Sequence, residues 1–527
     1  MSAPAGPDRP ASGDEMKRFR VVLACCGLTL GLALAGATAA THAVAKPAAA
    51  PMLPAISDWQ YLGNSVTPPS QSACNAVGRR CFDPAAMHNS YNYASLLAAG
   101  NQGQGKTIAI VDSFGASTIR QDLYNFSTQF GLPVLCGSST TAVDDPSGNC
   151  ASNVSPRFDI ICPEGCRTAQ VPPLNNSFGQ EAGNLWSLEV ALDVEWAHAT
   201  APLANIVLVT TPTAETLGVQ GFPVMMAAEQ YVIDNHLADV ISQSFGAGEG
   251  SFHNGLATIN NLRQAYVDAQ ANNVTVLASS GDGGTTNGLK EPVKNSGTIP
   301  YPSVIWPASD PLVTSVGGTY LCTNATTGTS VDSVSPPSAC QANPGAREVG
   351  WIAGGGGYSI LFSRPDFQNN LPTGSTFVGS SVGAPGPNSN MRGVPDVAYQ
   401  ASARTGVLVY VTEPQPGSTT TGCGGASPCS TGWYVVGGTS SGSPQWAGLI
   451  ALTDQIAGRD VGYINPALYT IASDPSKYGN DFYDITAGCN QTTSIPGYCA
   501  STGWDAVTGL GTPNVANLIP DLISATQ

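Results

Sequence analysis

Residues 437–444 read Gly-Gly-Thr-Ser-Ser-Gly-Ser-Pro and stand between the apolar run 433–436 and the helix-forming stretch 445–458. This order predicts a strand that turns sharply into a helix. The glycines permit the bend, and Pro444 suits the first turn of the helix. A serine at such a turn exposes its hydroxyl near the helix N-terminus, whose backbone amides favour negative charge. Ser440 is therefore our candidate nucleophile.

The histidines do not offer an obvious base for this serine. The pattern Gly-Thr-Ser-x-x-x-Pro resembles that of the subtilisin-like serine peptidases, and imidazole is the ordinary proton acceptor for a serine nucleophile. Such an enzyme would carry a His-Gly-Thr-His type segment after its first strand and helix, and this chain has none. Its five histidines are His42, His88, His198, His236 and His253. Their simplest interpretation is that they are solvated or locally hydrogen-bonded.

Two carboxylates offer another base. Residues 186–196 are good helix formers with apolar side chains at helical spacing, and they include Glu189 and Asp193, four positions apart. On a helix this spacing places both carboxylates on one face, with Cβ atoms about 5 to 6 Å apart, so that they can share a proton. Such a pair can accept the serine proton. The alternative is a solvated acidic stripe on the helix surface.

A third acid follows a predicted buried strand. Residues 274–284 read as an apolar parallel strand that ends in a Gly-rich loop, and Asp282 lies in this loop. In open α/β sheets, ligands and catalytic groups gather at the carboxyl ends of the strands. Asp282 is therefore predicted to lie at the same edge as other site residues.

Taken together, Glu189-x-x-x-Asp193, Ser-Gly-Asp282-Gly and Gly-Thr-Ser440-x-x-x-Pro resemble the motifs of the sedolisin family, the serine-carboxyl peptidases. Family-like sequence also occurs at residues 240–246, 354–359, 365–368 and 394–397. The resemblance runs from about Phe82 to the C-terminus. It implies a subtilisin-like fold and a serine-type endopeptidase whose partners are polypeptide substrates.

The resemblance implies a role for each of the four residues. Ser440 would attack the scissile carbonyl, with Glu189 as its general base and Asp193 orienting Glu189. Asp282, in its protonated form, would donate a hydrogen bond to the oxyanion, together with the backbone N–H of Ser440. An ionised Asp282 would repel the oxyanion, and a carboxylate base has an ordinary pKa near about 4. Activity is therefore expected in acid.

The resemblance also implies one structural Ca²⁺ ion near the C-terminus. Residues 484–488 and 503–511 look like the family's calcium loop, which would present two carboxylates and several carbonyls. The implied ligands are the side chains of Asp484 and Asp505 and the carbonyls of Ile485, Ser501 and Gly503. Ser501 stands where the family pattern has glycine. Without the resemblance, two aspartates in a Gly-rich loop are typical turn residues.

The order of apolar segments predicts one large α/β domain. The predicted strands are 107–114, 205–211, 240–245, 274–280 and 406–412, and the predicted helices are 185–199, 256–272 and 444–457. Strands that alternate with helices imply a doubly wound, mostly parallel sheet flanked by helices, with right-handed crossovers. The C-terminal calcium-binding loop would complete this architecture.

The charge balance excludes some partners. The chain has 36 Asp plus Glu against 20 Lys plus Arg, which gives a net charge of −16 at pH 7. Nucleic acid is therefore not an expected partner. In acid the carboxyls neutralise and leave only a modest positive charge, which suits an acid-stable secreted protein.

The N-terminal region predicts export. Residues 1–45 form a predicted signal peptide, in which basic residues precede the apolar stretch 21–40, and Met16 is a possible alternative start. An N-terminal extension, 46–82, would follow, and then the peptidase domain, 83–527. After cleavage we expect a secreted, extracellular monomer with no stable membrane association. An uncleaved membrane anchor is the competing interpretation.

The cysteines agree with export. Removing Cys25 and Cys26 with the leader leaves 12 of the 14 cysteines, an even number that predicts disulfides. Neighbour pairing is the simplest proposal, although spacing cannot establish connectivity. The proposed pairs are Cys74–Cys81, Cys136–Cys150, Cys162–Cys166, Cys322–Cys340, Cys423–Cys429 and Cys489–Cys499.

One feature departs from the family. Most sedolisins carry a long folded propeptide, and none of that size is expected here, because the residues before the first strand are few and rich in Pro, Ala and Ser. They suit a surface wrap better than an independent domain. Two other functions stay open. One is a non-catalytic secreted binding protein on the same fold, and the other is a neutral serine hydrolase in which His88 or another histidine reaches Ser440.

By resemblance, two segments would hold the backbone of the substrate. Residues 244–246 and 354–357 are expected to form extended rails that hydrogen-bond a peptide. Their glycines are equally typical of turns.

Overall fold

The architecture is seen in a computed structural model that describes residues 53–54, 58–116, 118–138, 150, 153–165, 179–212, 221–252, 254–289, 297–332, 337–372, 375, 390–412, 431–491 and 495–527. All of them belong to one unit, Ala48–Gln527. The predicted signal peptide lies outside the described residues. Among those residues, no helix has both the length and the apolar character needed to span a membrane.

The described residues form α-helices and β-strands along the whole peptidase region. The α-helices are α1 (Gln71–Ala76), α2 (Pro84–Ser90), α3 (Ala94–Ala98), α4 (Ile119–Phe130), α5 (Gly179–Thr200), α6 (Phe222–Asp234), α7 (Leu256–Asn260), α8 (Gln264–Ala271), α9 (Ser338–Ala342), α10 (Gly442–Ala457), α11 (Asn465–Ser473), α12 (Pro475–Asp481) and α13 (Val515–Ala525). The strands are β1 (Leu53–Pro54), β2 (Trp59–Gly63), β3 (Arg80–Phe82), β4 (Thr107–Ser113), β5 (Phe158–Ile161), β6 (Asn205–Thr211), β7 (Val240–Gln243), β8 (Phe245–Gly248), β9 (Thr275–Ser279), β10 (Gly288–Leu289), β11 (Gly297–Thr298), β12 (Ile305–Trp306), β13 (Thr314–Leu321), β14 (Glu348–Gly350), β15 (Gly357–Ser363), β16 (Met391–Val394), β17 (Val397–Gln400), β18 (Thr405–Val411), β19 (Gly432–Val436), β20 (Phe482–Tyr483) and β21 (Thr512–Pro513).

The central sheet has eight strands in the order β14-β13-β9-β7-β4-β6-β5, with β17 also paired to β13. Its pairings are parallel, except that β13 and β14 are antiparallel. Parallel neighbours need crossover connections, which place helices on the faces of the sheet. The predicted mostly parallel sheet flanked by helices is confirmed.

Both faces of this sheet are covered, as β4 shows. Ile108 and Ile110 belong to the hydrophobic cluster that includes α5 and α10. Ala109 and Val111 belong to the cluster that includes α6 and α8. Successive side chains of a strand point to opposite faces, so the two helix pairs lie on opposite sides of the sheet.

A second sheet has four strands in the order β2-β19-β18-β3. The predicted strand 406–412 corresponds to β18, which pairs with β19 and β3 and does not join the central sheet. Apolar character predicts a buried strand but does not identify its neighbours. The prediction that the extension 46–82 wraps the surface is incomplete. This extension contributes the strands β2 and β3 to the second sheet, and the residues of β3 are buried.

Two predicted elements are interrupted. The predicted strand 240–245 breaks at Ser244 into β7 and β8, which lie in different sheets. The predicted helix 256–272 is two helices, α7 and α8. Between them Arg263 forms two hydrogen bonds of 2.8 and 2.6 Å with the carboxylate of Asp310, which holds this turn against a neighbouring segment.

Four of the six proposed disulfides are formed: Cys74–Cys81, Cys136–Cys150, Cys322–Cys340 and Cys489–Cys499. Cys162 is also disulfide-bonded. Its proposed partner Cys166 and the pair Cys423 and Cys429 lie outside the described residues.

Candidate active site

Ser440 lies in a 3-10 turn, Thr439–Ser441, between the end of β19 and the start of α10. Gly438 has a φ of +122°, a conformation that other residues rarely adopt, so glycine permits the reversal here. Gly442 lets the helix approach the sheet closely, because a Cβ at this position would lie 2.8 Å from Val316 Cγ1. The strand, turn and helix predicted around Ser440 are therefore present.

Glu189 lies on α5 with its side chain fully buried. Burial raises the pKa of Glu189 well above its ordinary value, and the nearby charges of Asp193 and Asp112 raise it further. The Ser440 hydroxyl interacts with the Glu189 carboxyl and opposes this increase in pKa. The structure thus brings the predicted nucleophile and the predicted carboxyl pair together.

Asp193, one turn further along α5, is also fully buried. Burial and the charge of Asp112 raise its pKa well above the ordinary value, and the hydroxyl of Ser244 opposes the increase. A solvated acidic stripe is therefore the wrong interpretation of this helix. Ser244 was predicted only as part of a substrate rail, 244–246, and not as a partner of Asp193.

Asp112 is a site residue that sequence reasoning missed. It lies at the carboxyl end of β4, is fully buried, and burial raises its pKa to about 7. The rule that singled out Asp282, an acid at the carboxyl end of a buried strand, applies equally to Asp112. Three carboxyls are thus confined in one cluster, which resists the presence of more than one negative charge.

Replacing Asp112 with asparagine is expected to move the acid limb of the pH–rate profile to lower pH. The neutral amide removes a charge that opposes ionisation of Glu189. The maximal rate should change by less than about tenfold, because Asp112 is not a donor to the reacting atoms. The measurement is kcat/KM as a function of pH. Asp122→Asn, which removes a buried acid of α4 outside this cluster, is the control and should leave the limb in place.

Asp282 follows β9 and is held against the nucleophile turn. Its Oδ1 accepts hydrogen bonds from the backbone N–H of Thr439 at 2.8 Å and from the Thr439 hydroxyl at 3.0 Å. The Thr439 hydroxyl in turn accepts a hydrogen bond from the N–H of Gly281 at 2.9 Å. Thr439 immediately precedes Ser440, so these contacts fix the predicted oxyanion donor beside the nucleophile.

Replacing Thr439 with valine is expected to lower kcat about fivefold with little change in KM. Valine keeps the shape of threonine but loses the hydroxyl that joins Gly281 to Asp282, a bond worth about 1 kcal/mol. Steady-state kinetics on one peptide substrate would measure this. Thr439→Ser keeps the hydroxyl and should stay close to the wild type. Equal losses in the two variants would show that the methyl group, and not the hydrogen bond, matters.

The segment 354–356 packs against the Asp282 loop. The N–H of Gly355 donates to the carbonyl of Gly281 at 2.7 Å, and a Cβ on Gly355 would lie 2.0 Å from the carbonyl oxygen of Ser280. The fully buried side chain of Asn490 donates to the carbonyls of Gly354 at 3.2 Å and Gly356 at 3.4 Å. The C-terminal region thus supports one wall of the site. Sequence reasoning missed Asn490, since a lone asparagine in a loop carries no such signal.

The described histidines lie elsewhere. His88 Nε2 donates to the carbonyl of Ala199 at 2.8 Å, and burial lowers the pKa of His88 to about 4. His198 is buried near the end of α5, and burial lowers its pKa to about 4 as well. At 1.5 Å per residue, this end of the helix is roughly 15 Å from Glu189. His236 is exposed, and His42 and His253 lie outside the described residues.

The two carboxylates of the predicted calcium loop converge on residues 501–503. Asp484 Oδ2 accepts a hydrogen bond from the N–H of Gly503 at 3.1 Å, and Asp505 Oδ2 accepts one from the N–H of Ser501 at 3.1 Å. Burial raises the pKa of Asp505 to about 7 and also raises that of Asp484. Both carboxylates thus accept hydrogen bonds from the same short stretch of backbone, residues 501–503.

This donor set fits a hard cation. In the described part of the chain, no Lys or Arg is paired with either carboxylate. Carboxylates and backbone carbonyls are the oxygen ligands that Ca²⁺ takes. No group of three or more His, Cys, Asp and Glu side chains is placed to hold a metal among the described residues. A cation here would therefore depend on carbonyls as well as on the two carboxylates.

The chain is similar to known proteins over much of its length. The model of the subtilase family matches residues 190–461. Kumamolisin from Bacillus sp. (strain MN-32) is 34% identical over 472 residues, which are 87% of this chain and 66% of kumamolisin. Human tripeptidyl-peptidase 1 is 27% identical over 365 residues, 66% of this chain and 54% of that protein. The chain therefore spans about two thirds and about half of the length of these relatives.

A solved structure shows the same fold. Pseudomonas sedolisin, a serine-carboxyl proteinase complexed with two molecules of pseudo-iodotyrostatin, is 24% identical with a TM-score of 0.58, over 85% of this chain and 99% of that one. The sequence resemblance is thus confirmed. With a serine turn, a buried carboxyl pair and these similarities, the chain belongs to the subtilase family and, within it, to the sedolisins.

Proposed function

We propose that this chain is an acid-active serine-type endopeptidase that hydrolyses polypeptides through a Ser-Glu-Asp triad. The observation that carries the proposal is the interaction of the Ser440 hydroxyl with Glu189 inside a buried carboxyl cluster. A carboxylate in this position can take the serine proton. Family membership supports peptide hydrolysis, and the described histidines do not offer a competing base near Glu189.

The residues perform the reaction in two halves. Ser440 Oγ attacks the scissile carbonyl carbon while Glu189 takes its proton, and Asp193 orients Glu189 by sharing a proton with it. Protonated Asp282 and the N–H of Ser440 donate hydrogen bonds to the oxyanion. Glu189 then gives its proton to the leaving amine as the C–N bond breaks. Water, deprotonated by Glu189, hydrolyses the acyl-enzyme, and the proton returns to Ser440.

Two ionisations bound the active pH range. Glu189 must be ionised to act as a base, so the rate falls on the acid side as Glu189 is protonated. Its raised pKa moves this limb above the ordinary range of a carboxyl. Asp282 must hold a proton, so the rate falls on the alkaline side as Asp282 ionises. Both groups are carboxyls of one coupled cluster, so the two limbs belong to the cluster as a whole, and the proposed active range lies below neutral pH.

The test is digestion of an acid-denatured protein by the purified secreted chain between pH 2 and pH 8, with Ser440→Ala beside it. Cleavage confined to acid and abolished in the variant is the expected result. Full activity at pH 8 would overturn the carboxyl-based mechanism. Absence of cleavage at every pH, in a folded chain shown to be processed and exported, would favour the binding-protein alternative.

We propose one structural Ca²⁺ ion in the C-terminal loop. Asp484 and Asp505 would hold it with the carbonyls of Ile485, Ser501 and Gly503. The ion would supply positive charge to two buried carboxylates and thereby stabilise the loop. The chain itself orders the loop through the hydrogen bonds that both carboxylates accept from it and through the disulfide Cys489–Cys499.

Removing calcium is expected to lower the thermal midpoint of unfolding. A ligand present at one hundred times its Kd stabilises the fold by about 2.7 kcal/mol. The measurement is a thermal melt of Ser440→Ala with Ca²⁺ and with a chelator, together with the calcium content of the protein. Asp484→Asn should bind less calcium and lose its response to the chelator. A wild-type melt that does not respond to chelation would contradict the site.

We also propose that the protein is secreted and acts as a monomer. The disulfides formed among the described residues support export, because oxidising compartments favour them.

A further inference from the structure

Two segments of the chain begin beside the candidate site. β8 starts directly after Ser244, whose hydroxyl opposes the increase in the pKa of Asp193. Residues 354–356 pack against the Asp282 loop, and β15 follows them directly. We name β8 the first wall and residues 354–359 the second wall. A substrate that extends from the scissile bond between these segments would contact both of them.

The strand that continues the second wall is not paired along its whole length. The register between β15 and β16 shifts between Tyr358 and Ser363. In this interval the backbone N–H groups of Leu361 and Phe362 donate to the hydroxyl of Ser359 at 3.0 and 2.8 Å. A side chain thus satisfies backbone groups that strand pairing would otherwise use.

The group that completes this arrangement comes from the end of the first wall. Glu249 begins the 3-10 turn directly after β8 and is 1% exposed. Its Oε1 accepts a hydrogen bond from the Ser359 hydroxyl at 2.6 Å, and its Oε2 accepts one from the N–H of Ile360 at 2.7 Å. The N–H of Glu249 donates to the carbonyl of Val304 at 3.0 Å. One carboxyl group therefore joins the two walls through both of its oxygens.

This bridge lies at a distance that a bound peptide would reach. Glu249 is five positions from Ser244 in the chain, and Ser359 is four positions from Gly355. Along either wall the bridge is therefore at most about 18 Å from the site. Each residue of an extended peptide advances about 3.3 Å, so the bridge lies within about five substrate residues of the scissile bond. It is remote from the reacting atoms but close to the outer part of a long substrate.

We propose that Glu249 is a positioning residue: it fixes the separation of the two walls, so that the enzyme holds long peptides more tightly than short ones. This inference deepens the proposed peptidase function and rests on it. Glu249 is buried and acts through Ser359 and Ile360, whose hydrogen bonds to it keep the second wall beside the first. A groove that is ordered before the substrate arrives binds it at a lower entropic cost. Without the bridge, the outer residues of a long substrate would lose contacts that a short substrate never makes.

The test uses two peptides of different length that share one cleaved bond. The bond is one that the wild type cleaves in an acid-denatured protein, identified by mass spectrometry, and the peptides extend two and six residues to each side of it. In Glu249→Ala, KM for the longer peptide should rise about tenfold, with kcat within about twofold of the wild type. Both constants for the shorter peptide should change by less than about threefold.

Further variants identify the bridge as the cause. Ser359→Ala removes the hydroxyl that donates to Glu249 and should raise KM for the longer peptide in the same way. The double variant should do no more than Glu249→Ala alone, because both changes act on one contact. Glu229→Ala truncates an equally buried glutamate of α6 and should leave the ratio of the two KM values unchanged. If Glu249→Ala does not fold, Ser359→Ala carries the same test with the smaller change.

Three results would overturn the inference. One is a folded Glu249→Ala that hydrolyses both peptides as the wild type does, which would leave the peptidase function standing. Another is an equal fall in kcat for both peptides, because the effect would then lie at the reacting groups or in the fold as a whole. A third is a pair of KM increases that add fully in the double variant. A wild type that cleaves no bond of the denatured protein would remove the proposed function together with the inference.

Discussion

Replacing Glu189 with glutamine is expected to lower kcat by about 10⁴-fold or more, as removal of a member of a serine peptidase triad does. Glutamine has nearly the size of glutamate and keeps a hydrogen-bonding oxygen beside Ser440, but it cannot take the serine proton. KM should change little, because Glu189 lies beneath the nucleophile in a buried cluster. The measurement is kcat and KM on one peptide at the acidic optimum.

A matched variant controls for the loss of a buried glutamate. Glu229 on α6 is fully buried, and burial raises its pKa well above the ordinary value, as for Glu189. It belongs to the helix layer on the opposite face of the sheet. Glu229→Gln should keep kcat within about threefold of the wild type. If Glu189→Gln keeps a tenth of the wild-type activity, Glu189 is not the base. A histidine-dependent mechanism would then be the better explanation.

The free energy of unfolding is expected to fall by several kcal/mol between pH 4 and pH 8. Burial raises the pKa of Asp122 to about 7 and that of Glu249 to about 7. In the unfolded chain both carboxyls have values near about 4, so the folded state binds their protons more tightly. This stabilisation is complete below about pH 4 and is lost as the pH rises through about 7, at about 4 kcal/mol for each group.

This loss is comparable to the whole stability of a typical domain, which is about 5 to 15 kcal/mol. The net charge of −16 at pH 7 adds self-repulsion in the same direction. Thermal melts of Ser440→Ala, which avoids self-digestion, should show the midpoint falling by about 10 °C or more between pH 4 and pH 7. A midpoint that is constant or rises over this range would contradict the prediction.

Single variants separate the buried groups from the general charge effect. Glu249→Gln and Asp122→Asn should each make the dependence of the midpoint on pH shallower. Asp234→Asn removes one charge from an exposed position at the end of α6 and should leave the slope unchanged. Equal slopes in all three variants would assign the effect to net charge.

The core of the fold was accessible from sequence because buried parallel strands and flanking helices leave local patterns. The run 107–114 predicted β4 nearly to its ends, and residues 274–280 predicted β9. The same patterns could not predict which sheet β18 joins, since an apolar run does not specify the strands with which it pairs. Nor could they show that β2 and β3 complete the second sheet, because the pairing of distant segments is decided by tertiary packing.

The site was predictable where a motif carried it. Ser440, Glu189, Asp193 and Asp282 each stand in a recognisable local pattern, and the structure brings Asp282 and Glu189 to the turn of Ser440, with Asp193 near Glu189. Asp112 stands in none that we used, and Ser244 was predicted only as part of a substrate rail; their influence on Glu189 and Asp193 depends on charge and contact across strands. Roles in catalysis stay predictions until the variants are measured.

The dependence of the Asp282 loop on Asn490 has a consequence for biosynthesis. A chain is made from its N-terminus, so Ser440, Glu189 and Asp193 are synthesised before Asn490. The segment 354–356, which braces the loop of Asp282, stays without its support until the last residues arrive. An incomplete chain would thus hold Ser440, Glu189 and Asp282 but lack the support of the wall that packs against the Asp282 loop. We therefore expect full cleavage activity only after Asn490 has been added to the chain.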